Sequence, residues 1–250
     1  MNLCSITPVK QCAWSYEAPM VMLLTHLVER HPEYVKEALK HPNTYKILDN
    51  SLIELGESLT MERLVSAAEI IKADEIILPD VFRDGPATIE STKKAIEWLK
   101  MHNLIGKYKL MVVCHGNNEE EWADCFNQLD QMEEVDVIGV PKVTATWLKD
   151  NNRKNLSHIF LNTTKQIHLL GSWYNLAELL RLGKNVWDRV RSADTCLPSL
   201  YVIQNKHIWE DRDGTINLEK DYPELIKEKY NKVMDEFEKE MVRAYIYIGY

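Results

Sequence analysis

Short apolar runs alternate with longer amphipathic ones along this chain, and that alternation restricts its fold more than any other feature. The short runs are rich in Ile, Val and Leu at consecutive positions, which suits strands covered on both faces. They predict a first strand near Leu3–Thr7, followed by Tyr45–Leu48, Glu75–Leu78, Lys109–Val113, Val135–Val140, Gln166–Leu170 and Asp188–Ser192. The segments between them repeat with helical spacing. Ser58–Lys72, with Ser58 or Thr60 as its cap, carries the stripe Leu64, Ala67, Ala68 and Ile71. Ala87–His102 and Asn118–Met132 behave alike, and Asn175–Leu182 is a shorter helix.

Each strand-plus-helix unit takes roughly 20–35 residues, the length a parallel crossover needs. Repeated units of this kind predict a parallel sheet with helices outside. Seven of them favour closure into a single-domain (β/α)8 TIM-type barrel over residues 1–250. A doubly wound open sheet is the alternative, but no Gly-rich phosphate loop follows the first strand. The pattern does not place an eighth strand. Residues 221–243 read as one long charged helix with Leu225, Tyr230, Val233, Phe237 and Met241 on its apolar face. Such a helix either closes the barrel's outside or packs on a partner, a second copy of the chain (a homodimer) included.

The apolar fraction of 45% and charged fraction of 27% suffice for a barrel core. A net charge of −8 argues against non-specific coating of nucleic acid, while leaving room for a local basic rim. The five cysteines show no CxxC pair, so neither a disulfide scaffold nor a structural zinc site is expected, and a reducing cytoplasm is. The run Ala18–Leu24 is far too short to span a bilayer, and the N-terminus lacks the pattern of a signal peptide. The expectation is a soluble protein with no membrane partner.

Barrel enzymes work at the carboxyl ends of their strands. Here the expected strands are followed by Asp49-Asn50-Ser51, Pro79-Asp80, Cys114-His115-Gly116, Gly139-Val140-Pro141-Lys142, Gly171-Ser172-Trp173 and Arg191-Ser192-Ala193-Asp194. Asp and Gly often simply begin turns. Three aspartates after three buried strands nevertheless gather like charges, which is costly unless chemistry uses them. With His115 the only strand-end histidine, a His-rich hydrolase site is not expected. A carboxylate-held magnesium, a metal-dependent hydrolase or lyase, and a carboxylate pair acting at a glycosidic carbon all remain open.

In order, the segments 47–51, 78–80, 113–116, 138–140, 168–171 and 192–198 resemble the strand-end motifs of tRNA-guanine transglycosylases. The compact chain is more similar to the 7-deazaguanine DNA transglycosylases of bacterial islands and phages. The resemblance implies exchange of guanine in a polynucleotide, DNA rather than tRNA, for a 7-deazaguanine base, in a cytoplasm (the host's, for a phage protein). It implies a covalent aspartyl–sugar intermediate and no cofactor. Asp194 would be the nucleophile and Asp49 the general acid/base. Asp80 would read the base, His115 would contact its carbonyl, Gly139 and Val140 would offer backbone N–H groups, Leu170 and Gly171 would floor the pocket, and Ser51 would orient it. A base flipped from its stack would need phosphate contacts at the mouth, for which Arg191, Lys142, Arg83 and Lys206 are candidates. Trp173, which follows the Gly171 floor, is placed to line the pocket, whereas Trp14, Tyr16, Trp147 and Tyr174 read as core or surface packing. Three departures stand against the family pattern: no zinc-binding insertion accompanies Cys196, Val140 replaces the second of two glycines, and His115 replaces a glutamine.

Overall fold

The computed structural model describes residues 1–171 and 175–247. Eight parallel strands, β1 (Asn2–Ser5), β2 (Met20–Leu24), β3 (Tyr45–Asp49), β4 (Glu75–Ile77), β5 (Lys109–Val113), β6 (Val137–Pro141), β7 (Gln166–Leu170) and β8 (Val190–Thr195), pair in the order β1-β8-β7-β6-β5-β4-β3-β2. β1 and β2 lie side by side across the remaining seam, so the sheet is a nearly closed barrel. Consecutive strands are neighbours all the way round, and the order reversal of a doubly wound sheet is absent. The chain is therefore a single-domain (β/α)8 barrel.

The strand not predicted from the sequence is β2, whose five residues are all buried. It is the apolar run ending at Leu24. No amphipathic α-helix announces it, because the crossover from β1 is a 3-10 segment, Val9–Glu17, which tucks Cys12 and Tyr16 inward. The expected helices are present as Met61–Ile71, Gly85–Met101 and Glu119–Asp130. The second is capped by Asp84, which accepts the Ala87 N–H, and the third by Asn118, which accepts the Glu121 N–H ahead of three acidic residues in the first turn. Ser58 caps nothing; its hydroxyl bonds Asp80 instead. The last helix, Lys227–Tyr247, starts six residues later than the pattern predicted. Its buried Tyr230 and Phe237 face this chain's own helix Leu197–Gln204, so it closes the barrel's outside.

Period-two alternation divides the strands between two cores. Outward residues such as Leu23, Leu48, Val112 and Leu169 pack under the helices, while Cys4, Met22, Ile47, Ile77, Met111 and Val137 fill the lumen. The lumen floor is polar. Glu75, fully buried, accepts two hydrogen bonds from the Arg191 guanidinium, at 2.7 and 3.0 Å, and one from the Tyr45 hydroxyl at 2.7 Å. Arg191 is thus not a phosphate contact at the site. β8 begins at Val190 and runs on to Thr195, so Arg191 sits near its amino end, held by Glu75 at the opposite pole from the strand-end aspartates.

Removing one partner of this pair leaves a buried charge uncompensated. Glu75→Gln is expected to cost about 3–5 kcal/mol in urea unfolding, and the double change Glu75→Leu with Arg191→Met to recover most of that loss. A single variant as stable as the parent would refute the assignment.

Candidate functional site

A cavity of about 660 Å³ opens at the carboxyl end of the barrel, walled by Asp49, Asp80, His115, Lys142, Gly171 and Asp194 from the strand ends. The turn Leu52–Leu55 and the segment 212, 215–219 complete its mouth. The three aspartates thus share one space.

Asp194 is the penultimate residue of β8 and points inward. Its Oδ1 accepts the Gly171 N–H at 3.1 Å and lies 3.1 Å from His168 Nε2. Gly171 has φ +65°, and a Cβ there would lie 3.0 Å from Cδ of Lys142. Glycine is needed twice over: for the left-handed turn and for the lysine stem lying across it. The turn is held from behind by Arg153, a fully buried cation. Arg153 donates to the carbonyls of Val140 (2.8 Å), Leu170 (3.1 Å) and Gly171 (2.6 Å), and its charge is met by Glu178 at 2.7 Å.

Asp49 occupies a different environment. Its Oδ1 accepts the Ser51 N–H at 2.6 Å. Burial, then the neighbouring carboxylates of Glu54, Asp194 and Asp80, push its carboxyl well above the ordinary aspartate range. Glu54 at the mouth is pushed up in the same sense, first by enclosure and then by Asp194. Ser51 does not line the cavity. It is buried at φ +62°, and its hydroxyl accepts the His26 N–H (3.2 Å) while lying 2.9 Å from His26 Nδ1. It shapes the turn that returns an N–H to Asp49.

Asp80 has both oxygens engaged. Oδ1 accepts from Asn50 (2.7 Å) and Ser58 (2.9 Å), and Oδ2 lies 2.7 Å from His115 Nε2. His115 Nδ1 in turn accepts the Arg83 N–H at 3.2 Å. The pair forms a braced wall. Gly139 and Val140 stand off the cavity: Leu170 fills the space of the missing Gly139 side chain, and Val140 packs into the outer core. Leu170 itself lines the cavity.

Of the basic candidates, Arg83 is at the mouth, and Lys206 is bound to Asp211 and Asp213 away from it. Lys142 lies within the cavity rather than on an outer rim, and burial, then the Arg212 charge, lowers its pKa below that of a free lysine. Trp173 and Tyr174 lie outside the described residues. His26, Glu54 and Arg153 were not singled out from the sequence. His26 lies in the helix Thr25–Arg30, Glu54 in the single helical turn Leu52–Leu55 and Arg153 in the 3-10 turn Arg153–Leu156; none carries a motif of its own, and only the Asp49 and Gly171 turns give them a purpose. Among the described residues, no group of three or more His, Cys, Asp or Glu side chains is arranged to hold a metal ion.

No protein-family model and no curated protein matches this sequence. Among solved structures the chain is similar to the YdjI aldolase from Escherichia coli K12, at 10% identity and a TM-score of 0.54, over 97% of this chain and 90% of that one. It is also similar to an N-acetylneuraminate lyase from Mycoplasma synoviae, at 11% identity and a TM-score of 0.52, over 99% of this chain and 77% of that one. Identities this low show a common barrel fold and no more. The expected membership of the tRNA-guanine transglycosylase superfamily is not supported: no family model reports it, and the two similar barrels named above are an aldolase and a lyase. The glycosyltransferase assignment falls with it. The physical reason lies in the motifs, which are three to seven residues long and rich in the Asp and Gly that any barrel collects where strands turn into loops.

A carboxyl that holds its proton in the fold stabilises the fold below the unfolded aspartate pKa, and that contribution is lost as pH rises through the raised folded value. Asp49→Asn keeps a neutral side chain at every pH. Its melting temperature relative to the parent is therefore expected to climb between pH 4 and pH 8, by about 2–4 °C per kcal/mol gained. A difference flat in pH would show that Asp49 is ordinary.

Proposed function

We propose that this barrel is a lyase-type enzyme that captures a small carbonyl compound on Lys142 and breaks or makes a bond next to the captured carbon. One observation carries the proposal: a desolvated amine with lowered pKa, Lys142, shares a cavity with Asp49, whose carboxyl burial pushes toward its protonated form, and with Asp194, which accepts the Gly171 N–H. The lyase the sequence left open was metal-dependent; with an amine in place of the metal, lyase chemistry makes use of all three. A desolvated lysine is the usual nucleophile toward carbonyls. Pairs of titratable groups whose environments push them apart divide acid and base roles.

The steps balance with these groups alone. Lys142 Nζ adds to the carbonyl carbon, Asp194 takes a proton from the nitrogen, and Asp49 gives its proton to the carbonyl oxygen. The carbinolamine then expels that oxygen as water, which takes the proton held by Asp194, and a protonated imine remains. The imine draws electrons from the bond between the α- and β-carbons of the captured compound. As that bond breaks, Asp49, now a carboxylate, takes the proton of the β-hydroxyl, the β-carbon departs as a carbonyl compound, and an enamine remains on Lys142. Leu52, Phe82 and Val113 in the wall keep water scarce around the imine.

Incubation with a panel of short aldehydes, ketones and 2-oxo acids, followed by borohydride, is expected to reduce the imine to a stable amine on Lys142, detected by mass spectrometry. Lys142→Met abolishes the adduct, and Asp49→Asn slows its formation by about 10²-fold. Trapping rises with pH through the lowered Lys142 pKa and falls again as Asp49 loses its proton. Absence of an adduct with every probe, or an adduct on surface lysines only, would remove the proposal.

A further inference from the structure

His168 and Ser192 are fully buried, lie outside the cavity wall, and connect its carboxylate to the barrel floor. Starting from the floor, Arg191 is held by Glu75 and donates its Nε–H to Ser192 Oγ at 3.1 Å. Ser192 Oγ lies 2.7 Å from His168 Nδ1, and His168 Nε2 lies 3.1 Å from Asp194 Oδ1. The contacts run without a break from Glu75 to Asp194. A register shift makes them possible: Ile167 pairs with Val190 but His168 with Ser192, so Arg191 is an extra residue on β8. The bulge turns two successive side chains, Arg191 and Ser192, onto the same line of contacts.

A guanidinium donates and never accepts. Ser192 Oγ therefore accepts from Arg191 and turns its own proton and a second lone pair toward His168 Nδ1. When Ser192 gives that proton to Nδ1, the ring proton is on Nε2, where it donates to Asp194. Asp194 Oδ1 also accepts the Gly171 N–H. Two donors on one oxygen suit a carboxylate, and no hydrogen bond to Oδ2 is found among the described residues, which leaves that oxygen for the cavity.

We infer that Ser192 and His168 are positioning residues: a buried relay, anchored by the Glu75–Arg191 pair, that locks His168 in its Nε2–H tautomer and thereby holds Asp194 as an oriented anion. The inference deepens the proposed function and rests on it for the part Asp194 plays in proton transfer. The tautomer itself is independent of any substrate.

The experiment uses the intact chain labelled with 15N-histidine. Long-range 1H–15N correlation at pH 8 reads the tautomer of each ring, and His168→Gln assigns the His168 signals. The parent is expected to show His168 as Nε2–H alone. In Ser192→Ala, which removes one hydroxyl, an Nδ1–H population should appear, and the rate of borohydride trapping at Lys142 should drop about tenfold or more, as when groups supporting a catalytic residue are lost. The double variant Glu75→Leu with Arg191→Met, which leaves Ser192 in place, should also mix the tautomers. His168→Gln keeps an N–H donor and should retain more trapping than His168→Leu. A parent spectrum showing imidazolium or Nδ1–H overturns the inference. So does a Ser192→Ala protein with an unchanged tautomer or an unchanged trapping rate. If Lys142 is never trapped in the parent, the proposed function fails alone, and the two tautomer spectra still decide the relay.

Discussion

Two opposite charges paired in the barrel floor, the fully buried Glu75 and the largely covered Arg191, set the terms for what lies above them. A lumen lined by Ile47, Ile77, Met111 and Val137 offers little solvation, so each charge is tolerable only because the other is hydrogen-bonded to it. That bond fixes where the Arg191 Nε points, and with it Ser192, His168 and Asp194 in turn. A second buried cation, Arg153, plays a comparable part at the rim, tying the ends of β6 and β7 through three carbonyls. Between them the two arginines leave the Gly171 turn and the Asp194 carboxylate little freedom.

The aspartates of the cavity have the same side chain and different chemistry. Asp80 spends its oxygens on Asn50, Ser58 and His115 and braces one wall. Asp194 accepts the Gly171 N–H and lies against His168 Nε2. Asp49, with one backbone N–H and three carboxylates as neighbours, keeps its proton more readily than either the chain's exposed acids or a free aspartate. Environment makes this separation, and it brings Asp49, Asp194 and the desolvated Lys142 into one space.

The parallel barrel was legible because its strands are buried on both faces and its helices carry regular stripes. The convergence of Asp49, Asp80 and Asp194 followed from the rule that strand ends face one way. β2 escaped notice because a 3-10 crossover lacks the 3.6-residue period that would have framed it. Arg191 was misplaced because its strand begins two residues later than the hydrophobic run suggests and contains a bulge, and neither shift changes composition. Lys142 looked like a rim cation; only the closed wall around it shows it to be desolvated. Arg153, in an irregular stretch between β6 and β7, had no pattern to mark it. The family resemblance failed for a related reason: short strand-end strings record that a barrel turns at those points, and they say little about which barrel it is.

The bulge at Arg191 has a consequence for kinship. A regular strand sends alternate side chains to opposite faces, so an arginine anchoring the base and a serine feeding the histidine cannot be neighbours in sequence unless one residue is surplus. Ancestors or cousins that share this internal wiring must therefore keep the same surplus residue, with Arg-Ser-x-Asp on the last strand, a histidine on the strand before and an acid opening the fourth. That sparse spacing should outlast overall similarity, and it offers a way to recognise kin of this chain at identities where whole-length comparison fails.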